Sequence, residues 1–185
     1  MRRAAAAAAN PSTSDRVMDH FARLGLPAAL DLEPASLDRA YFALQRQWHP
    51  DRFVAKPAAE RAKASVEAAA LNDAYRTLKD PLSRAVYLAE LKGVEMPGDG
   101  KTIDDPELLM EAMETREELH EAGSIAAVDA LAAKVRDDMQ KALAGLGDLF
   151  LANDKPAIRK ALLRLRYLDK FAEEARARRN NLGKS

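Results

Sequence analysis

Residues 44–53 read LQRQWHPDRF and place a His49-Pro50-Asp51 tripeptide between two helix-forming stretches. Before the tripeptide, apolar residues at helical spacing predict an amphipathic helix on Leu37, Tyr41, Leu44 and Trp48. Proline disfavours the helical conformation at the residue before it, so this helix should end at the tripeptide. After it, residues 58–78 are rich in alanine and predict another helix, with an apolar stripe on Val66, Ala70, Ala74 and Leu78. Small residues allow close approach, so the two helices should pair as an antiparallel hairpin.

The residues ahead of this hairpin divide into a tail and a short helix. Residues 1–14 are basic at the start, rich in alanine and free of acids, which indicates a disordered tail. The same features also occur in organelle transit peptides, so that alternative stays open. From Asp15 onward, apolar residues at helical spacing predict a short helix that Gly25 and Pro27 end.

The second half of the chain predicts a helical bundle. A short helix at 82–91 is followed by a cluster of glycine and proline, which marks a linker at 92–104. Asp105-Pro106 then begins a helix, since an acidic cap and a proline in the first turn are typical of helix starts. Two longer helices follow Ser124 and Asp154. The pattern predicts an antiparallel three-helix bundle at 105–179, a tail at 180–185 and an all-α fold.

Composition excludes several classes of function. The 185 residues carry 29 basic and 29 acidic side chains, which argues against general binding of nucleic acid or anionic membranes through bulk charge. The absence of cysteine excludes thiol catalysis and thiolate-ligated metals or clusters. The three histidines lie on different predicted segments without metal-ligand spacing, and no phosphate-binding Gly-x-x-x-x-Gly-Lys loop is present. We therefore expect no metal, no cofactor and no enzymatic activity.

The surroundings of the tripeptide are specific. Residues 71–78 read LNDAYRTL, and Asp80-Pro81 and Arg84-Ala85-x-Tyr87 follow. Together with the hairpin, these motifs resemble a J-domain, the DnaJ-type module that stimulates the ATPase of DnaK-like chaperones. The predicted J-domain covers residues 15–91. The resemblance implies that the connecting loop docks where the ATPase and substrate domains of the chaperone meet, through His49, Pro50, Asp51, Arg46, Gln47 and Arg52.

The second half narrows the resemblance. Residues 108–119 read LLMEAMETREEL and residues 165–170 read LRYLDK, and both resemble HscB, the iron–sulfur assembly co-chaperone. That family joins an N-terminal J-domain to a C-terminal three-helix bundle. The resemblance implies two partners, the DnaK-like chaperone HscA and the scaffold protein IscU. The implied scaffold-binding residues are Leu109, Met110, Met113, Glu114, Arg116, Glu117 and Tyr167.

The chain departs from related families in informative ways. General DnaJ proteins carry a Gly/Phe-rich linker and a four-cysteine zinc region, and eukaryotic HscB relatives often carry a cysteine pair motif. None of these features is present, which favours a bacterial cytoplasmic protein over one of the mitochondrial matrix. Trp48 stands where the family usually has tyrosine, and Arg52 where lysine is usual. The first change keeps an aromatic ring, and the second keeps the positive charge.

Elementary chemistry supports the implied role of the tripeptide. Pro50 restricts the backbone of His49, which lowers the ordering cost of binding. Asp51 offers a carboxylate for a charge-assisted contact, and His49 offers a ring that can donate or stack. Six basic residues against two acids between positions 39 and 63 should steer docking onto an acidic surface. The basic residues are Arg39, Arg46, Arg52, Lys56, Arg61 and Lys63.

Alternatives remain open at the level of the sequence. Leu109 and Met113 lie four apart and suit either a binding face or the core, and Arg116 could pair within its own helix. The client could be another protein. The basic residues of the last helix could bind nucleic acid, or complement the acidic helix at 104–118 across the bundle. These basic residues are Arg159, Lys160, Arg164, Arg166, Lys170, Arg176, Arg178 and Arg179.

Overall fold

The computed structural model describes residues 19–98 and 105–184, and every regular element in these ranges is helical. The predicted all-α class is confirmed. None of the helices in the described ranges has the length and hydropathy needed to cross a membrane. The predicted tail at 1–14 lies outside the described residues. The helices are α1 (His20–Arg23), α2 (Pro34–Trp48), α3 (Ala58–Lys79), α4 (Pro81–Leu91), α5 (Pro106–Glu121), α6 (Ile125–Ala152) and α7 (Lys155–Leu182), with a single 3₁₀ turn (Pro50–Phe53) between α2 and α3.

The chain packs as two compact units. We call residues 19–28 and 33–78 the hairpin unit, and residues 29–32 with those from 79 onward the bundle unit. α1, α2, the 3₁₀ turn and nearly all of α3 belong to the hairpin unit. The bundle unit contains α4 to α7.

Two tyrosines hold α2 against α3. The Tyr41 hydroxyl donates to Asn72 Oδ1 at 2.8 Å, and the Tyr75 hydroxyl donates to Asp38 Oδ1 at 2.7 Å. The two tyrosine rings stack with their centroids 4.0 Å apart. From Asp38 to Tyr41 along α2, the bonded partners on α3 go from Tyr75 back to Asn72. The two helices are therefore antiparallel, and the predicted hairpin is confirmed.

The buried face of α3 differs from the predicted stripe. Val66 is 66% exposed, whereas Ala64, Leu71, Ala74 and Leu78 are buried. Arg23 of α1 donates to Glu67 Oε2 of α3 at 2.6 Å, so α1 also contacts this helix. In a helix with so many alanines, several weakly apolar stripes coexist, and the sequence does not distinguish among them.

The bundle unit is built around α7. α6 and α7 are joined by the predicted turn, in which Asn153 takes the left-handed conformation (φ 54°) and the Asp154 side chain caps α7 by accepting from the Ala157 N–H at 3.0 Å. Side chains of these two helices form two buried clusters, one around Val128, Leu168 and Phe171 and the other around Leu146, Ile158 and Leu162. The pairing of early α6 with late α7 confirms that these helices run antiparallel.

The packing places α4 with the bundle unit rather than with the hairpin unit. Ala85 and Ala89 of α4 lie in the same buried cluster as Ile158 and Leu162 of α7. Val94, in the predicted linker, is buried in this cluster too. The compact units therefore divide after Leu78, whereas the sequence predicts the domain boundary at 92–104. Small alanine side chains permit the close approach of α4 and α7 that the sequence pattern did not reveal.

Two further differences concern the predicted linker and the C-terminal tail. Residues 92–98 are tied to α7, because Arg166 donates to the Pro97 carbonyl at 2.8 Å and Arg159 to the Glu95 carbonyl at 3.3 Å. α7 runs to Leu182, beyond its predicted end at 179, since Leu182 packs against the core. Residues 99–104 lie outside the described ranges.

The bundle core gives a direct test of this packing. Leu162 has none of its surface exposed (0%), so Leu162→Ala should lower the free energy of unfolding by about 3 kcal/mol through lost burial and a residual cavity. The same substitution at Leu151, which is 87% exposed on α6, should change it by less than about 0.5 kcal/mol. Urea unfolding, monitored by circular dichroism, measures the free energy of unfolding of both variants. Equal losses in the two variants would contradict the assigned core.

Candidate functional site

The tripeptide forms a sharp corner at the end of α2. His49 leaves the helix with φ −60° and ψ 129°, the extended conformation imposed by the following proline. Pro50 then begins the 3₁₀ turn. The backbone N–H of Asp51 donates to His49 Nδ1 at 3.3 Å, and the same nitrogen lies 3.6 Å from Asp51 Oδ2. The corner is therefore fixed by its own backbone and by the imidazole ring.

Aromatic side chains brace the corner from both sides. The rings of Trp48, just before it, and Phe53, at the end of the 3₁₀ turn, lie nearly parallel with centroids 6.1 Å apart. Lys63 of α3 places its ammonium 5.8 Å from the centre of the Trp48 ring, a cation–π contact. Arg52 donates back to the Arg46 carbonyl at 3.2 Å. These contacts tie the corner to both helices of the hairpin.

All six predicted chaperone-binding side chains are exposed at this corner: Arg46, Gln47, His49, Pro50, Asp51 and Arg52. The other basic residues of the hairpin are exposed as well, so the positive excess faces water. A negatively charged surface of a partner would be attracted to this side of the hairpin. In the described ranges no cluster of three histidine or acidic residues could hold a metal ion.

The structure decides which side of α5 faces the core. Leu108, Ala112 and Leu119 are buried. Leu109 and Met113, for which the spacing left a binding face and the core open, therefore lie on the exposed side of α5. Leu108 and Leu109 are adjacent in the sequence and both apolar, so the spacing alone does not reveal which of them points inward.

The outer side of α5 carries an exposed apolar patch. Leu109 is 37% exposed, Met110 64% and Met113 70%. Two exposed acids, Glu114 and Glu117, border them. We call these five residues the α5 patch. Large exposed apolar side chains grouped on one helix face are typical of a protein-binding surface, and methionine adapts to irregular partners.

Arg116 and Tyr167 lie beside the patch in different roles. Arg116 forms a two-point ion pair with Glu174 of α7, Nε to Oε2 at 3.0 Å and Nη2 to Oε1 at 3.1 Å, so it pairs across the bundle and not within its own helix. This contact raises the pKa of Arg116. Tyr167 is only 5% exposed, and its hydroxyl lies 3.4 Å from the carbonyls of Glu111 and Ala112. Tyr167 is thus a buried residue beneath the patch, whereas the other residues that the resemblance assigns to scaffold binding are exposed.

Acids of α5 face bases of α7 along the bundle. Lys160 pairs with Glu107 at 2.6 Å and with Asp105 at 3.3 Å. Arg164 holds Glu111 through two nitrogens, the shorter contact being 2.6 Å. These pairs, with Arg116–Glu174, show that α5 and α7 run in the same direction. They also confirm the expectation that basic residues of α7 complement the acidic helix, and they weaken the nucleic-acid alternative.

The start of α5 is fixed electrostatically. The Asp105 carboxylate accepts the backbone N–H groups of Leu108 at 3.2 Å and Glu107 at 3.0 Å, as the predicted cap requires. The bond from Leu108, aided by Lys160, lowers the pKa of Asp105. Burial raises the pKa of Tyr167. The cap and the ladder of pairs together set the register of the helix that carries the patch.

Sequence reasoning missed the residues that support these surfaces. Glu174 pairs with Arg116, and Asn72 and Tyr75 form the hydrogen bonds between α2 and α3. Asn72 and Tyr75 lie in the motif quoted at 71–78, but the sequence did not assign them these contacts. Regular spacing was the available signal, because Glu107 and Glu111 lie four apart, as do Lys160 and Arg164.

Comparison with known proteins places these features in a family. Residues 104–176 match the family model of the HSCB C-terminal oligomerisation domain. The chain is 40% identical over 161 residues to the co-chaperone protein HscB homolog of Burkholderia multivorans, covering 85% of this chain and 92% of that protein. It is 42% identical over 159 residues to the corresponding protein of Cupriavidus taiwanensis, covering 84% and 90%.

Solved structures agree with the sequence matches. The chaperone HscB from Vibrio cholerae has a TM-score of 0.79 at 35% identity, covering 89% of this chain and 99% of that one. The human co-chaperone protein HscB has a TM-score of 0.82 at 30% identity, covering 88% and 83%. The relatives that share this fold are co-chaperones, and this is the class of protein that the helical hairpin and bundle define. The chain is a member of the HscB family.

The Asp105 cap gives a pH-dependent test. Its lowered pKa means that ionised Asp105 stabilises the folded state at neutral pH, and that this stabilisation is lost as the pH falls below the ordinary value of 3.8. Asp105→Asn keeps a capping side chain but cannot ionise. The stability difference between the two proteins should be present at neutral pH and shrink in acid, as measured by urea unfolding. A difference that is unchanged below pH 3.8 would contradict the assigned cause.

Proposed function

We propose that this chain is an iron–sulfur cluster assembly co-chaperone. Its hairpin stimulates the ATPase of a DnaK-like chaperone of the HscA type, and its α5 patch binds and delivers an IscU-type scaffold protein. The observation that carries the proposal is the constrained, exposed His49-Pro50-Asp51 corner on the hairpin of an HscB-family chain. The chain itself acts by binding. ATP hydrolysis takes place on the partner.

The corner suits a binding role because its shape exists before the partner arrives. Its backbone is constrained by Pro50, and the Trp48–Phe53 stack holds both ends of the turn. Binding therefore orders few groups, and more of the contact energy remains for affinity. Asp51 presents a carboxylate for an arginine on the chaperone, and His49 presents a ring that can donate or stack.

Stimulation of hydrolysis requires a difference in affinity between two states of the chaperone. The corner can shift the chaperone toward its hydrolysis-competent state only by binding that state more tightly. The exposed positive charge of the hairpin brings the two proteins together, and the corner then selects the state. Distinct groups thus control the rate of encounter and the effect on ATP hydrolysis.

The α5 patch supplies the second contact. Leu109, Met110 and Met113 offer apolar surface to the scaffold, while Glu114 and Glu117 orient it through charge. The pairs between α5 and α7 hold the patch in place from behind. One protein with two binding surfaces can then deliver its client to the chaperone. The bacterial origin of the curated relatives and the missing cysteine pair favour action in a bacterial cytoplasm.

The docking role of the corner is testable by a single exchange. His49→Gln removes the ring that caps the 3₁₀ turn and should reduce ATPase stimulation of an HscA-type chaperone by at least about tenfold, as loss of one central contact does at a protein interface. Steady-state ATP hydrolysis with and without scaffold measures the effect. His120→Gln, at another exposed histidine, serves as the matched control and should retain stimulation. Full stimulation by His49→Gln would refute the docking role.

The scaffold-binding role of the α5 patch has its own test. Leu109→Ala with Met113→Ala should raise the Kd for an IscU-type scaffold by roughly tenfold or more, because both side chains lose apolar contact area. Isothermal titration calorimetry measures the Kd, and Leu151→Ala is the control for loss of an exposed leucine elsewhere. Unchanged scaffold binding together with normal ATPase stimulation would indicate a J-protein with a different client.

A further inference from the structure

We propose that Glu174 is a positioning residue that holds Arg116 in place to bind a carboxylate of the scaffold. This inference rests on the proposed function, since it concerns the same α5 patch. Glu174 lies on α7, outside the patch, and acts through Arg116.

The geometry of the pair leaves part of the guanidinium available. Glu174 occupies Nε and Nη2 of Arg116 from one side. Within the described ranges, the hydrogen bonds of Arg116 involve these two nitrogens and not Nη1. A guanidinium has five N–H donors in a planar fork, so the remaining edge can hold a second carboxylate. The Arg116 side chain is 47% exposed, which gives a partner access to that edge.

Tyr167 supports Arg116 from beneath. The guanidinium carbon lies 6.0 Å from the centre of the Tyr167 ring, within the range of a cation–π contact. The tyrosine is fixed by burial and by its hydroxyl contacts to the backbone of α5. Two groups of α7 therefore restrain one arginine of α5, one through charge and the other through its ring.

The charge around Arg116 explains why positioning matters. Three exposed acids lie within two residues of Arg116 in the sequence of α5: Glu114, Glu117 and Glu118. Without Glu174, the arginine loses both hydrogen bonds that hold its guanidinium and presents no fixed cation. Held by Glu174, it adds one positive group at a set point beside an acidic and apolar surface. A scaffold carboxylate at that point would be recognised, and a misplaced one would meet the neighbouring acids.

The first experiment removes the charge of Glu174 alone. Glu174→Gln should raise the Kd for an IscU-type scaffold about fivefold, since a free arginine must be ordered on binding. The effect should vanish when Arg116 is already alanine. Asp129→Asn is the matched control, because Asp129 pairs with Arg179 at 2.8 Å between α6 and α7, away from α5. Calorimetry measures affinity, and thermal unfolding checks that the two variants lose similar stability.

A charge exchange separates positioning from a merely structural ion pair. Arg116→Glu combined with Glu174→Arg restores the pair in reverse and should return the Tm to the wild-type value. It should not restore scaffold binding, since the exposed group is now negative. Recovery of binding by the exchange, or wild-type affinity in Glu174→Gln, would overturn the inference. Absence of binding by the wild-type chain would instead refute the proposed function.

Discussion

The stack of Tyr41 on Tyr75 fixes the distance and direction of the two hairpin helices. Each hydroxyl bonds to the opposite helix, at Asn72 and Asp38, so both the spacing and the register are set. The corner at His49 depends on this pairing, because its braces Trp48 and Lys63 come from different helices. A slip of one residue along α3 would move Lys63 off the indole and loosen the corner. The exposed corner is thus maintained by contacts within the hairpin.

The sequence predicted the features that depend on local chemistry. The end of α2 before Pro50, the Asp105 cap and the Asn153-Asp154 turn follow from backbone restrictions and side-chain hydrogen bonds within a few residues. The corner belongs to this group, and its residues lie where the motif predicted them. Short-range rules apply to these features because the groups involved are close in the chain.

Features that depend on distant packing were harder to predict. Neither the inward face of α5 nor that of α3 follows from spacing, because neighbouring apolar residues such as Leu108 and Leu109 offer two possible registers. The burial of Tyr167, whose ring lies beneath Arg116, does not follow from its place in the motif at 165–170. The place of α4 depends on alanines that fit against α7, a property of two surfaces together and not of either sequence segment.

The packing of α4 has a consequence for how this chain can be divided. Family resemblance assigns residues 15–91 to the J-domain, yet Ala85, Val86 and Ala89 of α4 lie in a buried cluster with residues of α7. A fragment cut at residue 91 would carry an uncovered apolar helix face, and the remaining fragment would lack one wall of its core. Exchange of residues 15–91 between such chains is therefore constrained by the packing of α4 against α7. A hybrid that keeps this packing would have to keep α4 with the bundle that covers it.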